Sequence, residues 1–392
     1  MNLELDAAHL AFQAEVRGFL ERHRGDWPKP GAARAQLLSW QQRLIEHGYA
    51  ARTIPRGYGG FGAQPDILNS RIIAEAFTAA GAPGPLAGQG ISMLVPTLLE
   101  LGTEEQKRQW IAPTLAGEVV WCQGYSEPGA GSDLAALTTS AVEDGDDFVI
   151  NGQKIWTSTA AQADMIFALI RTEPDAPKHG GISYLIFSMK TPGIEVRPLV
   201  TMTGQAEFNE VFFTDVRVPR TQIVGHRGGG WAVANATLKH ERGMLGDPNA
   251  AEQRLAAIID LMREETVDGA RLIDNPLLLD RLMRLQGEVL AMKFNGLRLL
   301  TAALNGDPPG LAGLVVKLRG CELNHQLAAL AIDALGELGV LYDGSPHLRA
   351  HGIWQHRYMF DLGLIIGGGT AQIQKNIIAE RGLGLPREPK AA

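Results

Sequence analysis

The chain has 392 residues, with 36 basic and 43 acidic side chains, a formal net charge of −7 and a pI near 5.8. This length predicts two or three domains, and the mild acidity argues against a general nucleic-acid-binding protein. The two cysteines, Cys122 and Cys321, exclude a disulfide framework and a cysteine-built metal site. The ten histidines show no metal-ligand spacing, so no metal is expected.

The first residues lack the basic and apolar segments of a secretory signal, so we expect no export signal there. We also expect no membrane span, because no uncharged run of about 18 apolar residues occurs. The expected location is the cytoplasm, where unpaired cysteines stay reduced.

Residues 1–117 are predicted to form a helical N-terminal domain, because apolar residues recur at helical spacing in 5–20, 37–45, 67–77 and 91–101. Thr103 and Gln106 have capping-box spacing and predict a helix start. The segment 57–62 formally matches the dinucleotide pattern G-x-G-x-x-G. Helices rather than a strand precede it, so we predict a loop.

Residues 118–228 are predicted to form a central β domain, because the apolar period changes to two. Asn151 and Gly152 lie between two short strand-like runs and predict a hairpin turn. Further strands are predicted at 165–170, 182–187, 194–199 and 211–218. Short strands at this spacing indicate a small barrel or sandwich.

Residues 229–385 are predicted to form a C-terminal helical bundle, in which 277–304 and 311–341 are long segments rich in Leu and Ala. Residues 386–392 are predicted to be a loose tail. The order of helices, strands and helices is not βαβ, so a doubly wound nucleotide-binding fold is not expected.

The segment 125–133 reads Tyr-Ser-Glu-Pro-Gly-Ala-Gly-Ser-Asp and follows a predicted strand at 119–123. Its small residues would let backbone N–H groups approach an anion or a flat ring. Composition alone favours a plain turn between two strands.

Three separated segments resemble the FAD-binding signature of the acyl-CoA dehydrogenase family, in the right order. They are 125–133, 149–158 (Val-Ile-Asn-Gly-Gln-Lys-Ile-Trp-Thr-Ser) and 367–384, which begins Gly-Gly-Gly-Thr-Ala-Gln-Ile-Gln-Lys-Asn, and 210–219 matches as well. The resemblance covers nearly the whole chain. It implies a helical N-terminal domain, a central β domain and a C-terminal four-helix bundle, which agrees with the periodicity.

The resemblance implies FAD as cofactor, an acyl-CoA thioester as substrate and an electron-transfer flavoprotein as electron acceptor. It places the flavin ring and ribityl phosphate against Tyr125, Ser126, Gly131, Ser132, Trp156, Thr157 and Ser158. Serines replace the more usual threonines at 126 and 158 but keep the hydroxyl. Ser132 also matches a position that contacts the CoA arm. Thr370 is predicted to cap the last helix, and with Gln372 it matches positions against the ADP half of FAD.

The resemblance also implies a glutamate base, which removes a proton from the substrate's Cα. In the best-known members this glutamate stands two residues before the threonine of the last motif, where this chain has Gly368. Other members carry it on a helix of the C-terminal bundle, and Glu241 falls on that position. Arg242 follows it and is expected to hold the helix or orient the carboxylate beside the substrate. His240 would serve as a base only if Glu241 pointed away.

The leading hypothesis is an FAD-dependent acyl-CoA dehydrogenase that desaturates its substrate between Cα and Cβ. The competing hypotheses are a catalytically silent subunit of a heteromeric dehydrogenase and a flavin oxidase or monooxygenase on the same fold. Members with the bundle-helix base often take bulky acyl groups, so we expect a ring-bearing substrate such as a steroid side chain.

The resemblance also bears on assembly. Family members reach the FAD pyrophosphate of a neighbouring subunit with an Arg-x-x-Phe pattern. Here the match is Arg271 with Asp274 in place of Phe. The accompanying glycine loop reads Asp-Ala-Leu-Gly-Glu-Leu-Gly at 333–339, with two acids added. Carboxylates repel a pyrophosphate. We therefore expect either an α2β2 assembly with a related chain, or a homodimer or homotetramer with a rebuilt loop.

Overall fold

The computed structural model describes residues 5–244 and 248–387, with side chains described at 5–240 and 249–387. The chain divides into two compact units. The first, called the N-terminal unit, comprises Met1–Val200 with Ala206–His240. The second, called the C-terminal unit, comprises Thr201–Gln205 with Glu241–Ala392.

The N-terminal unit begins with five helices: α1 (Ala7–Arg22), α2 (Arg34–Glu46), α3 (Ile67–Ala80), α4 (Val95–Leu101) and α5 (Glu104–Leu115). Asp6 and Asp66 cap α1 and α3 by accepting hydrogen bonds from backbone N–H groups of the first turn. The predicted capping box is confirmed at α5, where Thr103 and Gln106 each accept from the other's backbone N–H.

The glycine-rich segment 57–62 is a loop between α2 and α3, as predicted. It lies against the preceding backbone, since a Cβ on Gly60 would stand 2.2 Å from the carbonyl oxygen of Ile54. Close packing of the loop therefore accounts for this glycine without a nucleotide.

Eight strands form one sheet: β1 (Trp121–Gly124), β2 (Ser140–Asp144), β3 (Asp147–Ser158), β4 (Met165–Arg171), β5 (Ile182–Ser188), β6 (Ile194–Leu199), β7 (Phe208–Pro219) and β8 (Ile223–Val224). The strand order is β6-β7-β3-β2-β4-β5-β8, and β1 pairs with β4 in parallel. Strand β4 is buried on both faces. Phe167 packs with the N-terminal helices, and its neighbour Ile166 packs in the core of the opposite face. This explains the unbroken apolar run of β4.

The predicted hairpin turn at Asn151 and Gly152 is wrong, because both residues lie inside the long strand β3. The turn lies earlier, at Gly145 and the next residue, and joins β2 to β3. Strand β3 pairs with β2 on one side and β7 on the other, with a register shift between Ile150 and Gly152. The Asn-Gly pair therefore forms a bulge, in which Asn151 hydrogen-bonds Asp215 of β7.

Helix α6 (Gly230–Met244) follows the sheet, and its first turns belong to the N-terminal unit. Val233 and Ala234 are buried in the helical core. The hydroxyls of Thr237 on α6 and Thr97 on α4 lie 2.9 Å apart in the interior. This segment of α6 is thus anchored on α4.

The C-terminal unit contains α7 (Pro248–Glu264), the short strands β9 (Thr266–Val267) and β10 (Ala270–Arg271), α8 (Pro276–Leu304), α9 (Gly310–Leu335), α10 (Ile353–Ile366) and α11 (Ala371–Ile377). Helix α9 ends at Leu335, six residues before the predicted end, because Gly336 takes a left-handed φ of 56° and begins a 3-10 turn.

The fully buried carboxylate of Asp361 on α10 pairs with Arg254 on α7. Across the described residues, every helix is too short or too polar to span a bilayer.

Candidate flavin site

The segment 125–133 forms a tight loop directly after β1. Glu127 and Ala130 exchange two backbone hydrogen bonds of 3.0 Å, which close the turn around Pro128 and Gly129. The carbonyl of Ser126 accepts a 2.9 Å hydrogen bond from the N–H of Ile155 on β3. The loop is therefore joined to the strand that carries the second predicted motif.

The far side of the loop is open. Gly131 and Ser132 are exposed. A Cβ placed on Gly129 or Gly131 would have no heavy atom within 4 Å. Small residues thus leave the loop backbone accessible to a ligand, whereas Tyr125 is buried and holds the start of the loop in the core.

The end of β3 presents an exposed indole. The β3–β7 register shifts between Lys154 and Thr157, and within this bulge Trp156 takes a left-handed φ of 59°. The Trp156 side chain is 57% exposed and contacts Phe208 edge to face, with ring centroids 5.9 Å apart. A left-handed backbone at a bulky residue costs about 1–3 kcal/mol and is typical of functional sites.

The two residues after Trp156 differ in exposure. Ser158 is half-buried. Thr157 is fully buried, and its hydroxyl has no hydrogen-bond partner among the described residues. Successive side chains of a strand point to opposite faces of the sheet. Trp156 and Ser158 are therefore accessible on one face, and the Thr157 side chain is buried on the other.

A buried ion pair lies beneath this site. Lys154 Nζ donates 2.8 Å to Glu127 Oε1 and 3.2 Å to the carbonyl of Tyr125, and both charged side chains are almost completely buried. The Glu127 carboxylate also accepts from the N–H and hydroxyl of Thr138 and from the N–H of Thr139. Every oxygen of this carboxylate is therefore compensated.

The pair stays ionised at neutral pH. Burial acts to raise the pKa of Glu127, but Lys154 and the threonine hydrogen bonds prevail and lower that pKa to about 2. Burial lowers the pKa of Lys154 to about 8, against the attraction of Glu127. A carboxylate and an ammonium thus face each other in the interior.

The third predicted motif lies in the C-terminal unit. The Thr370 hydroxyl caps α11 by accepting a 3.2 Å bond from the N–H of Ile373, which confirms the predicted cap. Gly368 and Gly369 precede it with left-handed φ values of 64° and 95°. Gln372 is exposed.

Two buried side chains hold this glycine turn. Gln374 donates 3.1 Å to the carbonyl of Gly368. The Lys317 ammonium donates 2.6 Å to the carbonyl of Gly369 and 2.9 Å to that of Ile365, at the end of α10. The turn is therefore fixed by its own unit.

Arg271 is paired locally. Its guanidinium donates two bonds, of 2.9 and 3.0 Å, to the carboxylate of Asp274, and both side chains are more than half exposed. The hydrogen bond raises the pKa of Arg271 and lowers the pKa of Asp274. Asp274, which stands where the family has Phe, thus accepts hydrogen bonds from Arg271, the arginine that is predicted to bind the pyrophosphate.

The predicted base, Glu241, and its neighbour Arg242 lie on α6, but their side chains lie outside the described residues. His240 is half-buried. Its Nε2 atom is buried and has no hydrogen-bond partner among the described residues. Burial lowers the pKa of His240, and the nearby negative charge of Glu100 partly opposes this by raising it.

These features fit a flavin. An exposed indole is held beside a loop whose glycines leave room for close backbone approach. A capped helix start with left-handed glycines before it suits a phosphate.

Four supporting residues were not predicted as site residues. They are the Glu127–Lys154 pair and the two side chains that hold the glycine turn, Lys317 and Gln374. Glu127 and Lys154 both lie inside the predicted motifs, and their opposite charges among apolar neighbours were the available signal. Gln374 lies inside the third motif, and its contact with the Gly368 carbonyl spans only six residues. Lys317 could not be found from the sequence, because its carbonyl partners lie about 50 residues away in the chain.

Models of the three acyl-CoA dehydrogenase domains match the chain. The N-terminal domain matches residues 6–118, the middle domain residues 122–216 and the C-terminal domain residues 228–383.

Relatives and solved structures agree with these matches. The chain is 39% identical to "Acyl-CoA dehydrogenase IpdE1" of Mycobacterium tuberculosis, over 97% of this chain and 98% of that protein. It resembles the structure titled "Tcur3481-Tcur3483 steroid ACAD", with a TM-score of 0.81 and 30% identity over 99% of this chain and all of that one. The ChsE4-ChsE5 complex from Mycobacterium tuberculosis matches with a TM-score of 0.80 and 32% identity, over 99% of this chain and 100% of that one. The chain therefore belongs to the acyl-CoA dehydrogenase family of flavoprotein oxidoreductases.

Proposed function

We propose that this chain is an FAD-dependent acyl-CoA dehydrogenase that desaturates an acyl-CoA thioester between Cα and Cβ and passes the electrons to an electron-transfer flavoprotein. The observation that carries the proposal is the exposed Trp156, held in a left-handed conformation beside the open loop 125–133. An aromatic face next to accessible backbone N–H groups suits a flavin ring. Family membership supports the reaction class.

We propose FAD contacts for each unit by itself. In the N-terminal unit these are the loop with Ser126, Gly131 and Ser132, and the strand end with Trp156 and Ser158. The Thr157 side chain is buried and its carbonyl accepts a 2.9 Å hydrogen bond from Asn209 Nδ2, so Thr157 is left out of this set. In the C-terminal unit, Thr370 and the exposed Gln372 would bind the ADP half. When bound, FAD supplies the acceptor for the hydride that leaves the substrate's Cβ.

Glu241 is the proposed base, which takes the proton from Cα, and Arg242 would orient it. Gly368 supports this choice, since glycine has no side chain to accept a proton. Its φ of 64° also favours glycine over glutamate.

The substrate class that we propose is a bulky, ring-bearing acyl-CoA. One similar solved structure is that of a steroid acyl-CoA dehydrogenase, at 30% identity over 99% of this chain. Gly368 has no side chain at the family's usual base position, which supports a bulky acyl group.

Anaerobic titration of the purified flavoprotein with a panel of acyl-CoAs tests the proposal. We expect a ring-bearing acyl-CoA to bleach the flavin absorbance and butyryl-CoA to do so at least about tenfold more slowly. The matched free acids, which lack the thioester, are the controls. Absence of bleaching by any thioester would point to a silent subunit, and fast reoxidation by air would point to an oxidase.

For assembly we propose a heteromer with a related chain. The support is the Arg271–Asp274 pair, because the negative charge of Asp274 beside Arg271 repels a pyrophosphate. Exposed Glu337 adds a second negative charge to the glycine loop. The other added acid, Asp333, is compensated by Arg281 at 2.7 Å. The ChsE4-ChsE5 structure, by its title, is itself a complex of two chains.

A further inference from the structure

The buried ion pair between Glu127 and Lys154 connects the two flavin-site segments of the N-terminal unit. Glu127 lies in the turn of the loop, and Lys154 lies on β3 two residues before Trp156. We infer that Glu127 and Lys154 are a positioning pair, which fixes the loop 125–133 relative to the strand end that carries Trp156 and Ser158. This inference rests on the proposed function for its ligand, but the geometry is independent of it.

Three segments meet at the pair: the loop, β3 and the two residues just before β2. Lys154 contacts the loop twice, at the Glu127 carboxylate and at the carbonyl of Tyr125. Glu127 contacts the chain after the loop through the backbone N–H groups of Thr138 and Thr139. The N–H of Ile155 then donates to the carbonyl of Ser126. Through the Glu127 side chain and the Tyr125 carbonyl, the pair ties the loop both to β3 and to the residues just before β2, and the Ile155–Ser126 bond adds a further tie to β3.

Because the Glu127–Lys154 pair is buried, its main effect is on the position of the loop. The exposed fractions are 0% for the Lys154 side chain and 4% for that of Glu127. Hydrophobic residues of similar size would stabilise the interior equally well, so stability alone does not call for charges here. An ionised pair adds directional bonds, which specify one loop conformation. Loss of one partner leaves a buried charge, and the loop must move to hydrate it.

Three variants of the full chain test the inference: Lys154→Met, Glu127→Gln and the double variant. Arg217→Met is the matched control, because it breaks an exposed ion pair with Asp144 in the same sheet. The first readout is amide hydrogen exchange of residues 125–133, which needs no flavin. The second is the dissociation constant of FAD, with the position of its visible absorbance bands.

We expect each single variant to exchange faster in the loop, to bind FAD about tenfold more weakly or worse, and to shift the flavin bands. The double variant should regain protection, because no charge stays buried. It should still bind FAD at least about threefold more weakly, since Met cannot donate to the Tyr125 carbonyl. Arg217→Met should match the parent in both readouts.

A folded Lys154→Met chain with the parent's loop exchange and FAD affinity would overturn the inference. If the single variants do not fold, the double variant decides, and parent-like values in both readouts count against the pair. A parent chain that binds FAD but is reduced by none of the acyl-CoAs would count against the proposed function alone, since loop exchange and FAD affinity still test the positioning.

Discussion

By resemblance to the family, the two positions at which its members carry the base match Glu241 and Gly368. A carboxylate stands at one of them, and the other is a glycine whose left-handed φ of 64° disfavours a longer residue. No second carboxylate falls on either position. The proposed chemistry therefore depends on a single side chain.

We expect Glu241→Gln to keep FAD and bind acyl-CoA but to reduce the flavin about 10²–10⁴-fold more slowly, because a positioned general base is lost. Rapid-mixing measurement of flavin bleaching checks this. Glu264→Gln, at an exposed site on α7, is the control. Near-parent reduction by Glu241→Gln would show that another group takes the proton.

We expect the ionised Glu127 to make the free energy of unfolding fall at acid pH. Its pKa is about 2 in the folded chain against a usual value of 4.5. The folded state therefore binds this proton more weakly than the unfolded state. The contribution of Glu127 is present above pH 4.5 and is lost as the pH falls towards 2. Urea unfolding at pH values between 5 and 3 should show a steeper loss for the parent than for Glu127→Gln. Parallel curves would exclude this carboxylate as the cause.

Among the elements, β3 shows how pairing overrides a turn signal. Asn-Gly favours a two-residue hairpin in isolation, but β3 has a partner on each side and absorbs the pair as a bulge. Gly152 has a φ of 147° there, and a Cβ on it would stand 2.6 Å from Thr139 Cα. The residue is a glycine because of this close approach.

We expect Gly152→Ala to destabilise the N-terminal unit by about 3 kcal/mol or more, through strain and overpacking together. Gly145→Ala in the true turn has open space and should cost only about 1 kcal/mol, from its left-handed φ. Chemical denaturation of both variants gives the comparison. Equal costs would mean that Gly152 does not meet Thr139 as described.

For the whole molecule, the flavin content of the chain expressed alone tests the assembly. We expect less than one FAD per subunit, because Asp274 holds Arg271. Asp274→Phe should raise the content, while Asp280→Phe, which breaks an exposed pair with Arg284 on α8, should not. Absorbance of the purified chain, with its mass from light scattering, gives both numbers. One FAD per subunit in a stable homo-oligomer of the parent would refute the heteromer.

The sequence alone determined the order of helical, β and helical regions, since a change of apolar period from 3.6 to two needs only local spacing. It also determined the capping box at Thr103, the Thr370 cap and the motifs that indicated the family. The boundaries at 117 and 228 stay predictions. The roles of Tyr125 and Glu241 also stay predictions, because the type of a side chain does not show which ligand it contacts.

The tertiary structure decided what depends on partners far apart in the chain. It placed Asn151 and Gly152 in a bulge instead of a hairpin turn, because β3 pairs there with β7. The partner residue in β7 lies 64 residues later in the chain, so local sequence does not reveal this pairing. It paired Glu127 with Lys154 and Lys317 with the Gly369 carbonyl. Buried charges and carbonyls need compensation, and the group that provides it is chosen by packing rather than by neighbouring sequence.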